Sequence, residues 1–334
     1  MAVRIRRSAR EALPLFQRAA RAMSSIDAVD PRDRCDVLLN LGSTLRDLGD
    51  LAAAKVVVED ALALAAAHPA TRAMRGILLQ VLSRMAMREG RADDARALGA
   101  AALAAEEEAG DLRNVVNSLM QLGNIEFTMG DSAAARRFYA RARPIAARVG
   151  VRDTEARLVG NLALCARRDG DLAEAEALLL EAMPLFERVG EPRVLLQARG
   201  ALGMVQLDLG RPHDAAVALQ HAVDGLVALD EPLPVVDLAP SLVRALVGAG
   251  DPAGALAAAR DAEARARSMG SQVALIEILA ARGLAEAASG GAAAATLAEA
   301  SALLDAVGAA DDTAASRAVA ALRDTVRRAG PEGP

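Results

Sequence analysis

Apolar residues recur along this chain in blocks whose members stand three or four positions apart, as one face of a helix requires; Leu112, Val115, Val116, Leu119 and Leu122 form one such block. No stretch shows sustained strand alternation. Polar turns part the blocks at Gly49, Gly90, Gly130, Gly170, Gly210, Gly250 and Gly290, a first interval of 41 residues followed by intervals of 40. A second set of turns follows roughly half a period later, at Gly110, Gly150, Gly190, Asp230, Gly270 and Gly308. Glycine just past a helix supplies a left-handed cap at little steric cost. An aspartate beside it, as in Gly49-Asp50, Gly130-Asp131, Gly170-Asp171 and Gly250-Asp251, can cap the helix that follows. Pro192, Pro212, Pro232 and Pro252 fall just past such turns, where a first-turn proline is tolerated. The predicted unit is a helix hairpin, with helix A before the glycine and helix B after it.

Two alanine columns keep the same period: Ala54, Ala95, Ala135, Ala175, Ala215, Ala255 and Ala295, then Ala61, Ala102, Ala142, Ala182, Ala222, Ala262 and Ala302. They lie seven residues apart on helix B and so share one face. A methyl there lets helix B pack closely on its neighbours, and a larger group would overpack the contact by roughly 1–3 kcal/mol. A leucine column precedes each turn, Leu41, Leu82, Leu122, Leu162, Leu202 and Leu242, followed directly by Gly42, Ser83, Gly123, Ala163, Gly203 and Val243. A fixed period of this length marks a stacked-repeat solenoid. The expected fold is an all-α, right-handed superhelical solenoid of seven helix hairpins.

Leu122-Gly123-Asn124, then Gly130-Asp131, then Ala135 and Ala142, resembles the tetratricopeptide repeat, and the resemblance runs over residues 31–308. The family's usual period is about 34 residues, so each helix here should be nearly a turn longer. The family's large aromatics on helix A are absent, and Leu38, Leu79 and Leu119 fill one such position. Longer repeats of this kind are similar to those of kinesin light chains and of the ATP-dependent, LuxR-type bacterial regulators. Three segments are expected. Residues 1–30 hold a half-repeat or capping helix, in which Ser8 and Glu11 form a capping box before Ala12, Phe16 and Ala19. This segment is either a cap or the cut end of a longer parent. Residues 31–308 hold the seven repeats, the last of them irregular because Arg282 replaces the column leucine. Residues 309–334 hold a capping helix and short tail: Asp311 and Asp312 precede it, Val319, Leu322 and Val326 share one face, and charged residues cover the rest. Pro144 and Pro184 should bend their B helices, and Pro240 should leave the sixth helix A kinked or short.

Composition narrows the chemistry. Apolar residues make up 53% of the 334, mostly alanine and leucine, while aromatics are 1%, so the core should be thin and continuous. Lys55 is the one lysine, which rules out a phosphate-binding loop built on Gly-Lys. A net charge of −5 argues against broad nucleic-acid affinity; Arg4, Arg6, Arg7 and Arg10 read as a solvated arm. Cys35 and Cys165, three repeats apart, read as free buried thiols. His68, His213 and His221 read as surface residues, and Glu106-Glu107-Glu108 as a solvated helix end. No nucleophile elbow or metal set is found. No signal peptide or membrane-length apolar run is evident, which makes a cytoplasmic location the expectation. The chain is expected to be no enzyme and to need no cofactor.

The resemblance implies that helix A lines a concave groove that binds an extended peptide or a helix. Thirteen residues before each turn stand Asp36, Ile77, Asn117, Arg157, Gln197, Asp237 and Glu277; nine before it stand Asn40, Val81, Gln121, Asn161, Ala201 and Ser241. Amides donate to and accept from a peptide backbone. The candidate groove residues are therefore Asn40, Arg84, Asn117, Gln121, Asn124, Arg157, Asn161 and Gln197. A lysine-rich clamp for terminal carboxylates is not matched. The expected function is a protein- or peptide-binding scaffold or sensor in bacterial signalling. The alternative is the effector-sensing segment of a larger ATP-dependent transcription regulator.

Overall fold

A computed structural model describes residues 2–26, 29–308 and 313–329. Among these, sixteen α-helices and one short 3₁₀ turn account for the regular structure, with no strand. The chain divides into two compact units, Met1–Asp169 and Gly170–Pro334. The first holds α1 (Ala2–Ser24), α2 (Pro31–Leu48), α3 (Leu51–Ala67), α4 (Arg75–Arg88), α5 (Ala92–Ala109), α6 (Leu112–Thr128), α7 (Ser132–Val149) and α8 (Arg152–Asp169), with the 3₁₀ turn Pro69–Met74 ahead of α4. The second holds α9 (Leu172–Val189), α10 (Pro192–Asp208), α11 (Pro212–Ala228), α12 (Pro232–Gly248), α13 (Pro252–Met269), α14 (Gln272–Ala288), α15 (Ala294–Val307) and α16 (Ala314–Ala329). Within each unit, consecutive helices pack as hairpins and hairpins stack on their sequence neighbours.

The turn residues behave as their chemistry dictates. Every glycine of both turn sets has a positive φ, from 64° to 92°. At the A-to-B turns the N–H after the glycine reaches back to the carbonyl five residues earlier, as from Asp50 to Leu45 and from Asp131 to Glu126, each near 3 Å. Asp50, Asp111, Asp131, Asp171 and Asp251 each accept a bond from the third backbone N–H ahead. Asp230 takes the same left-handed conformation at φ 55°, the one described non-glycine residue that does so.

The small-residue columns carry the packing. Ala54, Ala95, Ala135, Ala175, Ala215 and Ala255 are wholly buried, as are Ala61, Ala102, Ala142, Ala182 and Ala222. All six column leucines are buried. The glycines behind them sit where helix A meets helix B. A Cβ on Gly42 would stand 2.4 Å from Val58 Cγ2, one on Gly123 2.4 Å from the Tyr139 ring, and one on Gly203 2.7 Å from Leu219 Cγ.

Four expectations need correction. In the last hairpin Ala295 and Ala302 are exposed, while Thr296 and Ala300 are buried. The pair Gly290-Gly291 prolongs the turn, α15 starts later than its counterparts, and its buried face falls one residue along. Ser8 does not open a helix, as the expected capping box requires, because α1 begins at Ala2 and passes through it. Leu13, Phe16 and Ala20 of α1 lie against the first core cluster. Of the two outcomes expected at Pro240, shortening does not occur: α12 spans 17 residues through it, as long as α10 and α14. The buried residues Val235, Val236, Leu238, Ala239, Leu242 and Val243 hold it across the missing hydrogen bond. Pro144 and Pro184 lie inside α7 and α9. Finally, Glu106 is no solvated end; it is 1% exposed.

At the far end Ala315, Val319 and Leu322 of α16 are buried while Arg323, Asp324, Arg327 and Arg328 are exposed. Asp311 and Asp312 lie outside the described residues, as do the side chains of Arg4, Arg6 and Arg7. Arg282, in place of a leucine, bonds Glu263, Glu286 and Thr296. Both cysteines are free and buried, and burial raises the Cys165 thiol to about 11. No described helix is long and apolar enough to cross a membrane.

Candidate functional site

In the first unit the A helices α2, α4, α6 and α8 place polar side chains one repeat apart on a common face. Several are joined at that interval. Arg84 Nη1 donates to Gln121 Oε1 at 3.2 Å, Asn161 Nδ2 to Asn124 Oδ1 at 3.2 Å, and Gln121 Nε2 to the Gln80 carbonyl at 3.1 Å. Arg88 donates to the Arg46 carbonyl at 3.0 Å. Arg168 donates to the Phe127 carbonyl and lies over the Phe127 ring, 3.6 Å from its centroid.

Apart from Arg84, the expected groove residues divide into five cases. Asn124, Asn161 and the buried Tyr139 form a cluster in which the Tyr139 hydroxyl donates to Asn124 Oδ1 at 2.7 Å. Asn117 and Arg157 are exposed and make no hydrogen bond among the described residues. Asn40 is exposed, its amide turned back to the Asp36 carbonyl at 2.8 Å. Gln121 departs from the expectation of a groove-facing amide: it is 9% exposed, its side chain laid between α4 and α6. Gln197 lies in the second unit on α10, half-buried, and accepts from Arg193 at 3.5 Å.

Arg84 is the most perturbed of the set. Its side chain is exposed, with protein atoms and two further arginines close around it. Burial, with repulsion from Arg46 and Arg88 and partial relief from Asp47, lowers its guanidinium to about 10. Arginine stays charged at neutral pH regardless. The shift therefore measures how poorly that charge is compensated, and no carboxylate pairs with it among the described residues.

A buried polar cluster that sequence reasoning missed stands behind Arg84. Gln80 Nε2 donates to Glu106 Oε1 at 2.7 Å and to Ser118 Oγ at 3.0 Å. Its Oε1 lies 3.5 Å from Arg84 Nη1. Glu106 Oε2 has no hydrogen-bond partner. Burial raises the Glu106 carboxyl above the usual range, the bonds from Ser118 and Gln80 opposing and Asp111 adding to it. Gly76 makes room, since a Cβ there would lie 2.4 Å from Glu106 Cγ. The signal was present in the repeat columns. Position for position, Glu106 corresponds to Ala65, Ala146, Phe186, Leu226 and Ala266, and Ser118 to Leu78, Leu158, Leu238 and Ile278, all of them buried apolar residues.

The second unit's A face is of different character. Asp237 and Glu277 stand there, their carboxyls raised by burial, with Arg244 and Arg317 opposing the shift at Glu277.

Family models for the tetratricopeptide repeat match residues 36–68, 74–148 and 154–226. No curated protein matches the chain. Among solved structures, the apo form of RapI is 11% identical, with a TM-score of 0.66 over 98% of this chain and 97% of that one. A Rap protein complexed with competence and sporulation factor is 12% identical, with a TM-score of 0.60 over 98% and 95%. A signal transduction ATPase with a tetratricopeptide repeat sensor, from Pyrococcus horikoshii, is 14% identical, with a TM-score of 0.65 over 90% of this chain. The chain spans 48% of that ATPase. At such identities these likenesses speak for the fold alone. The repeat matches, the hairpin stacking and the buried alanine columns agree, and the chain belongs to the tetratricopeptide repeat family.

Proposed function

We propose that the chain is a protein- or peptide-binding module of bacterial signalling, and that the helix-A face of its first unit holds an extended partner segment. The observation that carries the reading is the state of that face: Asn117 and Arg157 are exposed, with no hydrogen bond among the described residues. Beside them, Asn124 and Asn161 offer amides one repeat apart. Such a row can bond the backbone of an extended chain. A Rap protein of like fold is complexed with competence and sporulation factor, which agrees with the reading. The site residues are Asn117, Asn124, Arg157 and Asn161, with Arg84 beside them and Asn40 at the margin.

Replacing Asn124 and Asn161 together by glutamate tests the proposal. Partners captured from host lysate by the wild-type protein should be lost, while the far-ultraviolet circular dichroism stays the same. Capture that survives the double substitution removes the assignment.

A second reading is that the repeats sense an effector for a larger ATP-dependent regulator. The likeness over 90% of this chain to an ATPase carrying a tetratricopeptide repeat sensor favours it. An ATPase fold in the coding sequence adjoining this one supports that reading, and a stop codon there opposes it.

A further inference from the structure

We propose that the first unit's helix-A face selects acidic partner segments, an aspartate or glutamate side chain of the partner seating on Arg84 between α4 and α6. This rests on the binding reading above and adds the chemistry of what is bound.

The geometry around Arg84 is that of an anion seat without its anion. Two neutral amide oxygens, of Gln80 and Gln121, approach Nη1, and among the described residues no acceptor meets Nε or Nη2. That leaves the planar edge with which a guanidinium takes a carboxylate through two parallel bonds. The neighbouring cations are already engaged. Arg46 pairs with Asp47 at 2.8 Å, and Arg88 bonds the Arg46 carbonyl. Their charge nonetheless adds to the positive field at Arg84.

The two amides cannot turn round. Rotating the Gln80 amide would set its oxygen against the Glu106 carboxylate, and rotating that of Gln121 would set its oxygen against the Gln80 carbonyl. Each amide nitrogen is thus fixed inward and each oxygen is presented to the arginine. Holding that orientation costs the core a glycine at position 76, a buried carboxylate with one unpartnered oxygen and a buried hydroxyl. Arg84 is exposed on this face and has no carboxylate partner among the described residues, so a ligand carboxylate can reach its open edge and take it through two charge-assisted bonds.

The probe is a displayed library of random dodecapeptides fused by their C-termini, so that no terminal carboxylate is free. A second library presents free C-termini. Binders are scored when the Asn124→Glu/Asn161→Glu protein no longer holds them. The fused library should yield peptides with Asp or Glu at one fixed position, and selection on Arg84→Gln should lose that preference. A recovered peptide should bind Arg84→Gln about 10–100-fold more weakly, and Arg84→Lys in between.

An acidic preference only in the free-end library overturns the side-chain assignment. Scored binders with no acidic position, or an acidic preference that survives Arg84→Gln, overturn the inference while the binding face stands. An absence of scored binders in both libraries overturns the binding reading and this inference with it.

Discussion

At the scale of single residues, space is traded between the two helices of a hairpin. Gly42 faces Val58 and Gly203 faces Leu219, whereas Val243 packs in one cluster with Ala259. The total volume is kept while its owner changes. Gly42→Val should therefore destabilise the chain by about 1–3 kcal/mol through overpacking. Adding Val58→Ala should restore most of the loss, because it recreates the Val243–Ala259 arrangement. A chemical-denaturation cycle reads this, and strictly additive losses would refute the trade. Glu106 gives a pH signature. Its carboxyl titrates higher in the folded chain than the ordinary value of 4.5. Ionisation therefore opposes folding above that raised value, and protonation relieves the cost as the pH falls toward 4.5. Glu106→Gln, which keeps an acceptor for Gln80 and Ser118, should be more stable than wild type at neutral pH. The gap should close on acidification; a gap that is flat or widens toward low pH would contradict the burial account.

At the scale of helices and turns, most of the architecture was legible in the sequence, because few residue types can do what a turn demands. Both glycine sets fell where φ is positive, and Asp230 filled the one vacancy among them. Aspartate tolerates the left-handed region but does not favour it. Asp230→Gly should raise stability by about 0.5–1 kcal/mol, net of the extra freedom glycine gives the unfolded chain. Thermal melting checks this, and a lower midpoint would mean that the aspartate side chain serves the turn in another way. What escaped the pattern did so for physical reasons. The slip of α15 came from one added turn residue, which rotates a helix by about 100° and so moves burial from Ala295 to Thr296. Gln121 was placed on the right helix, but a neighbouring backbone carbonyl drew its amide inward, and spacing alone does not reveal that choice. The Glu106 cluster lay in plain columns and was hidden only because three adjacent glutamates look like a solvated end.

At the scale of the whole molecule, contacts within each of the two units run from each hairpin to its sequence neighbours. Stability in such a chain is a sum of local terms, and damage stays local. Ala135→Leu puts a large side chain at a wholly buried position on α7. Amide exchange should quicken in α6, α7 and α8 and be unchanged in α13 through α16. Uniform quickening would show that the chain melts as one body.

The glycines at Gly42, Gly123 and Gly203 alternate with Ser83, Ala163 and Val243, so every second hairpin carries one. The arginines that close a preceding carbonyl, Arg88 and Arg168, fall on the other parity. Within the first unit donor hairpins and acceptor hairpins thus take turns at twice the glycine spacing, whereas Gly248 holds the matching position of the sixth hairpin and carries no such donor. Excising the second hairpin alone would bring two acceptor hairpins together and leave the Arg46 carbonyl uncapped; excising a couplet from the first unit would leave the order intact.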